Sequence, residues 1–263
     1  MNLILLLEYF LVFVLGLCIG SFLNCVVYRL ETKKSLKGRS FCPKCKKQLC
    51  WQDLIPVFSF VFLGGKCRNC KQKISLQYPL VELATGIVFL LLFNFEFVTI
   101  LYPSVRSIIE ICFLFYVFSA LIAIFIYDLK HYEIPDKILI PAIVITLFYG
   151  LFFNFYVISS HLLAAFAAFS FFFIIFWFSK GQWMGFGDAK FAILMGLLLG
   201  FPNTVVALFL AFFFGAIIGV ILMIFEKKGL KSEIPFGPFL IFGVFLALIW
   251  GPKIISWYLN FLI

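Results

Sequence analysis

ILLLEYFLVFVLGLCIGSFLNCVVYRLETKKSLKGR, residues 4–39, decides the class of this fold. From Ile4 to Tyr28 the one charged side chain is Glu8, and about 20 consecutive apolar residues suffice to cross the hydrocarbon core of a bilayer. No basic segment precedes the run and no small-residue cleavage site closes it, so it reads as a retained span rather than a signal peptide. Arg29, Lys33, Lys34, Lys37 and Arg39 follow at once. Basic residues flanking a span mark its cytoplasmic end, which predicts an N-terminus outside.

The rest of the chain repeats this pattern. It has 64% hydrophobic and 13% charged residues, with a mean hydropathy of +1.14, whereas soluble domains carry about 25% charged residues. A lipid-spanning barrel would alternate polar and apolar residues; IVFLLLFNFEFV (87–98) and AIVITLFYGLFFNFYVI (142–158) are nearly continuous. The predicted class is an all-α polytopic membrane protein with about eight spans, near 4–28, 80–101, 107–127, 138–157, 159–179, 188–202, 204–225 and 235–258. Threading them from an outside N-terminus leaves 29–79, 128–137, 180–190 and 226–234 in the cytoplasm. Those regions hold every Lys and Arg except Arg106 and Lys253, with Lys227, Lys228 and Lys231 in the last of them. The net charge of +9 is therefore a topology signal, and no nucleic-acid partner is expected.

Composition divides the chain into a first span (1–28), a polar and basic insert (29–79) and a helical bundle (80–263). The insert contains CPKC (Cys42, Cys45) and CRNC (Cys67, Cys70), with 46–66 between them. Two C-x2-C knuckles can present four thiolates in a tetrahedron, the donor set of a structural Zn2+ site. A pair of disulfides is the competing reading, and a reducing cytoplasm disfavours it. Four thiolates leave no open position for catalysis, so the metal is expected to hold a small domain together. Cys50 is a spare thiol; Cys18, Cys25 and Cys112 lie in apolar spans and read as packing residues.

Two aspartates remain. Asp128, in YDLKHYEIPD, ends the third span, and Asp188, in GFGDAK, opens the sixth. Carboxylates inside or beside a bilayer are expensive and usually functional. From Asp188 to Phe201 a helix would measure about 21 Å at about 1.5 Å per residue, short against a hydrocarbon core of about 30 Å. Asp188 is thus expected in a recess below the membrane surface. Paired carboxylates suit aspartyl proteolysis, one taking a proton from water while the other polarises a peptide carbonyl. Helix dipoles would favour the anion at Asp188, on an N-terminus, and the acid at Asp128, on a C-terminus. The bland alternative makes both juxtamembrane charges paired with Lys190 and Lys130. Glu133, Asp136 and His131 read as loop or interfacial residues, and Glu82 as a partner for a loop lysine or a substrate. Gly16-x3-Gly20 and Gly215-x3-Gly219 read as sites of close helix approach.

These motifs in this order carry a resemblance: GSFLNCVVYRL (20–30), the two knuckles, WQDLIPVFSF (51–60), ISLQYPLVELATG (74–86), D-x5-IPD (128–136), GFGDAK (185–190) and IPFGPFL (234–240). The chain resembles the bacterial type IV prepilin peptidase family, membrane aspartyl proteases of the GxGD type. The resemblance implies catalysis by Asp128 and Asp188 at the cytoplasmic face of the bacterial inner membrane. Its implied substrates are type IV prepilins or the pseudopilin precursors of type II secretion, whose basic leader is removed. It also implies N-methylation of the new N-terminus from S-adenosylmethionine, with Gly65 and Lys66 as candidate residues beside the second knuckle. The sequence departs from the family pattern at ETKK (31–34), where proline is common. A cation- or proton-coupled transporter would also use membrane aspartates, and a docking module would use the insert; neither explains knuckles and GxGD together.

Overall fold

The computed structural model describes residues 3–99, 104–225 and 234–262. Its principal helices are α1 (Leu3–Glu31), the short α2 (Phe58–Phe62), α3 (Gln77–Thr99), α4 (Val105–His131), α5 (Asp136–Phe153), α6 (Ile158–Ser179), α7 (Phe186–Leu199), α8 (Asn203–Phe225) and α9 (Gly237–Leu262). Among the described residues there is no strand, only two isolated antiparallel bridges. Seven helices are long and apolar enough to cross a membrane. They correspond to seven of the expected spans. The remaining one is α7, of 14 residues. Lys227, Lys228 and Lys231 lie outside the described residues.

The chain forms two compact units, residues 1–123 and 124–263. In the first, α1 packs along α3 because small residues let the backbones meet. A Cβ on Gly16 would stand 2.7 Å from the Gly86 Cα, and one on Gly20 2.7 Å from the Glu82 Cα. Lipid offers helices little hydrophobic reason to associate, so such close approach supplies the dispersion that does. Above this seam Tyr9 donates to Asn94 at 2.8 Å, and Phe89 stacks on Phe115 with centroids 4.0 Å apart. The Gly215-x3-Gly219 pattern does not behave alike: Gly215 meets aromatic rings at ordinary distance and Gly219 faces open space. Cys18 and Cys112 are exposed on their helices rather than packed inside.

In the second unit α7 lies against α5, α6, α8 and α9. Ala189, Phe191, Ala192, Leu194, Met195 and Leu197 are all buried. A helix that is apolar all round belongs in an interior. Being enclosed by protein, α7 need not match the bilayer thickness, which explains its length. Gly196 lets the backbone of α6 at Ala164 and Ala165 close onto it. At its far end His161 Nδ1 and the Leu197 carbonyl are 2.8 Å apart, a role for this histidine that capping of α7 satisfies.

Candidate functional site

Asp128 sits in the last turn of α4, and the chain reverses just after it. Tyr132 takes φ +57 while its N–H bonds the Asp128 carbonyl at 2.9 Å. Ile134 and Pro135 turn inward, and Pro135 caps α5. This turn seats on the start of α7. A Cβ on Gly187 would stand 3.2 Å from that of Ile134, so the second glycine of GFGD is needed for close approach. Lys190 of α7 donates to both carboxylate oxygens of Asp136, at 2.8 and 2.7 Å. The α4–α5 turn and the head of α7 are thereby fastened together.

The end of α4, with Asp128, is thereby brought to the head of α7, which carries Asp188. The two aspartates are 4% and 9% exposed. Lys190 is committed to Asp136, so the reading that pairs it with Asp188 is not what the structure contains. Asp128 Oδ2 is buried and makes no full hydrogen bond among the described residues; its carboxylate meets the backbone N–H of Gly237. Gly237, the first residue of α9, lies directly against that oxygen. Two helix N-termini therefore face the pair, α7 at Asp188 and α9 at Asp128, so helix ends do not distinguish the two carboxylates as the sequence suggested. His131 packs at a tilt against Tyr127 with centroids 4.5 Å apart, and Glu133 is exposed.

The four cysteines of the insert converge. The Sγ atoms of Cys42, Cys45, Cys67 and Cys70 all lie within 4.8 Å of one another, with Cys42 and Cys70 3.9 Å apart. Tetrahedral zinc with bonds of about 2.3 Å wants sulfurs about 3.8 Å apart, so the donor set and its spacing fit a structural Zn2+. The two knuckles are built alike, CPKCKKQL and CRNCKQKI, a local repeat unnoticed in the sequence. In each, the first Cys N–H bonds the residue five on (Lys47, Gln72) at 2.9 Å. The lysine after each second cysteine, Lys46 or Lys71, takes positive φ. The N–H groups of Cys70 and Asn69 pull the Cys67 thiol down to about 7, toward the thiolate that a metal requires. Although the Gln72 N–H pulls it down, the Cys70 thiol is pushed up to about 11 by burial and by the neighbouring thiols; a cation would relieve that crowding. Cys50 is exposed and outside the cluster.

Gly65 takes φ +67 and a Cβ there would stand 3.1 Å from the Phe60 ring. Backbone conformation alone thus calls for glycine. Lys66 is exposed and bridges Lys73 across the second knuckle. The group that meets Glu82 is not a lysine: the Glu82 Oε2 accepts the Val57 N–H, 25 residues away, at 2.7 Å, and Ser21 of α1 also bonds its carboxylate. The sequence does not join Lys190 to Asp136, and it marks Gly237, with Pro235 and Pro238, as a break at the start of the last span that could shape a substrate groove, not as a neighbour of Asp128. Their motifs are D-x5-IPD, GFGDAK and IPFGPFL, but Asp136 and Lys190 stand 54 positions apart, and Asp128 and Gly237 farther still, so local spacing cannot join them.

Comparison with known proteins identifies the family. Residues 14–95 match the family described as bacterial peptidase A24 N-terminal domain, and residues 115–220 match the type IV leader peptidase family. A prepilin leader peptidase/N-methyltransferase of Bacillus subtilis is 31% identical over 95% of this chain and 97% of its own. The protein of that name from Pseudomonas aeruginosa is 30% identical over 94% of this chain and 92% of its own. One from Aeromonas salmonicida is 28% identical, covering 97% and 94%. No solved structure matches the chain.

Proposed function

The chain belongs to the type IV leader peptidase family, and on that premise we propose that it is an aspartyl endopeptidase of the bacterial inner membrane. It removes the basic leader from type IV prepilin or pseudopilin precursors at the cytoplasmic face. What supports this reading is that Asp128 and Asp188 are both buried, at the end of α4 and the head of α7 that the Ile134–Gly187 contact and the Asp136–Lys190 pair hold together.

The reaction follows from two carboxylates holding one proton between them. The ionised member takes a proton from water as its oxygen bonds to the scissile carbonyl carbon. The protonated member gives its proton to the carbonyl oxygen, forming a neutral tetrahedral diol. Collapse breaks the C–N bond; the leaving nitrogen gains a proton and the leader departs as a carboxylic acid. The pair titrates jointly, so neither role belongs permanently to one residue. Burial in a site of low dielectric strengthens each of these interactions. A hydrophobic pilin-like helix with a basic leader would meet this site where it leaves the bilayer.

The insert at 29–79 serves as the zinc-binding domain, with Cys42, Cys45, Cys67 and Cys70 as ligands and the metal as a fold element. S-adenosylmethionine, when bound, would supply the methyl group for the N-terminal amine that cleavage exposes. Gly65 and Lys66, beside the second knuckle, are the candidate residues for that activity. Family membership favours a peptidase over ion transport.

Co-expression with a pilin-like precursor, followed by mass measurement, tests both activities. Loss of the leader with the parent chain and its persistence with Asp128→Asn or Asp188→Asn is the expected result. Processing by both variants overturns the proposal. A product heavier by one methyl group only when S-adenosylmethionine is supplied assigns the second activity separately.

A further inference from the structure

Between the two knuckles, the turn Trp51–Leu54 and helix α2 keep large apolar side chains out of any core. Trp51 is 73% exposed, Phe58 59%, Val61 67% and Phe62 84%. Phe58 and Phe62, one helical turn apart, stack with centroids at 6.5 Å, so they form a ridge. Soluble surfaces rarely carry such a patch without a partner.

The base of this ridge is fastened in an unusual way. Val57 takes φ +61 and ψ −53, a conformation costly for a β-branched residue. The Phe58 N–H closes a γ-turn on the Pro56 carbonyl at 2.6 Å. The Val57 N–H is then gripped by the Glu82 carboxylate at 2.7 Å. Glu82 is 6% exposed and belongs to the membrane span of α3 (Gln77–Phe95). It stands five residues in from the start of that span, about 7 to 8 Å at about 1.5 Å per residue. A buried carboxylate of a membrane helix thus holds a strained turn that aims the aromatic ridge.

We propose that Trp51, Phe58, Val61 and Phe62 form an interfacial docking element, resting at the headgroup–acyl boundary of the surrounding bilayer. Charge agrees with this occupant. From Cys42 to Leu76 the one acidic residue is Asp53, and it is bonded by Arg68 at 2.9 Å. Lys44, Lys46, Lys47, Lys66, Lys71 and Lys73 of the same insert are exposed, a balance that attracts anionic headgroups. Aromatic residues also prefer this depth of a bilayer. A protein partner would need the ridge clear of lipid, whereas its anchor lies within a span. The element fixes how the zinc domain stands on α1 and α3, whichever reaction the aspartates perform.

The test uses the full chain in nanodiscs of phosphatidylcholine and phosphatidylglycerol, with the photo-crosslinker p-benzoylphenylalanine in place of Phe62. Irradiation is expected to give adducts of phospholipid mass, and the same label in place of Lys44 to give far fewer. Glu82→Gln, which keeps an acceptor for the Val57 N–H, retains the adduct, and Glu82→Ala loses it. Equal yields at both positions, no lipid adduct, or adducts only to the chain itself or to an added precursor overturn the proposal. An unchanged adduct in Glu82→Ala overturns the anchoring.

Discussion

Gly237 opens helix α9 against the carboxylate of Asp128, where a Cβ would stand 2.5 Å from Oδ2. Real side chains do not come so close, so any substitution at Gly237 must displace either α9 or Asp128. IPFGPFL is thereby tied to D-x5-IPD across more than a hundred residues. Gly237→Ala is expected to leave the protein folded and membrane-inserted. It should reduce precursor cleavage by about 10²-fold, the cost of misplacing a reacting group by about 1 Å. Thermal unfolding in detergent beside a cleavage assay separates this positioning effect from simple destabilisation.

Asp128→Asn and Asp188→Asn each remove a proton-transferring group. Leader removal, followed by mass, should fall by about 10²- to 10⁴-fold in either variant. The double variant should be hardly slower than each single one, because the two carboxylates act as one unit.

The Asp136–Lys190 clamp is at the surface: the side chains are 49% and 30% exposed. Exposed ion pairs contribute about 0.2 to 1 kcal/mol. Asp136→Asn should therefore lower stability only slightly, with cleavage lost far less than in the Asp128 variant. A loss equal to that of Asp128→Asn would give Asp136 a part in the chemistry.

Removal of metal should act on the insert first. The purified protein is expected to carry about one zinc per chain, measured by elemental analysis, as one tetrahedral four-thiolate site requires. A strong chelator should render the region around Cys42–Cys70 sensitive to protease while the membrane helices stay protected. Zinc affinity should weaken as pH falls, since protons compete for the thiolates. Cys50→Ser should change none of this.

Close backbone contact at Gly16 and Gly20 predicts intolerance of larger residues. Gly16→Val should destabilise the α1–α3 pair by about 1 to 3 kcal/mol, the usual cost of overpacking. Gly219→Val should be nearly silent, because a side chain there meets open space. Thermal unfolding of the two variants side by side checks the contrast.

The membrane class, seven of the eight expected spans and the paired knuckles were legible in the chain. Each rests on a local property: a run long and apolar enough to cross lipid, or two cysteines at knuckle spacing. Two details were not legible because they depend on what surrounds an element. Nothing in the 14 residues of α7 says that four helices enclose it. Nothing in GAIIG (215–219) says that it lacks the close neighbour GLCIG (16–20) has. Glu82 looked like a partner for a lysine, and only the fold shows a backbone N–H in that place.

By itself the sequence determined that the chain has membrane-spanning helices, and which residue types could hold a metal or move a proton. Those follow from transfer free energies and side-chain chemistry, which act residue by residue. Tertiary structure alone decided that Lys190 takes Asp136 and leaves Asp188, that Gly187 admits Ile134, and that the head of α9 abuts Asp128. These depend on which distant surfaces pack, and packing is a property of pairs of helices that no single stretch of sequence contains.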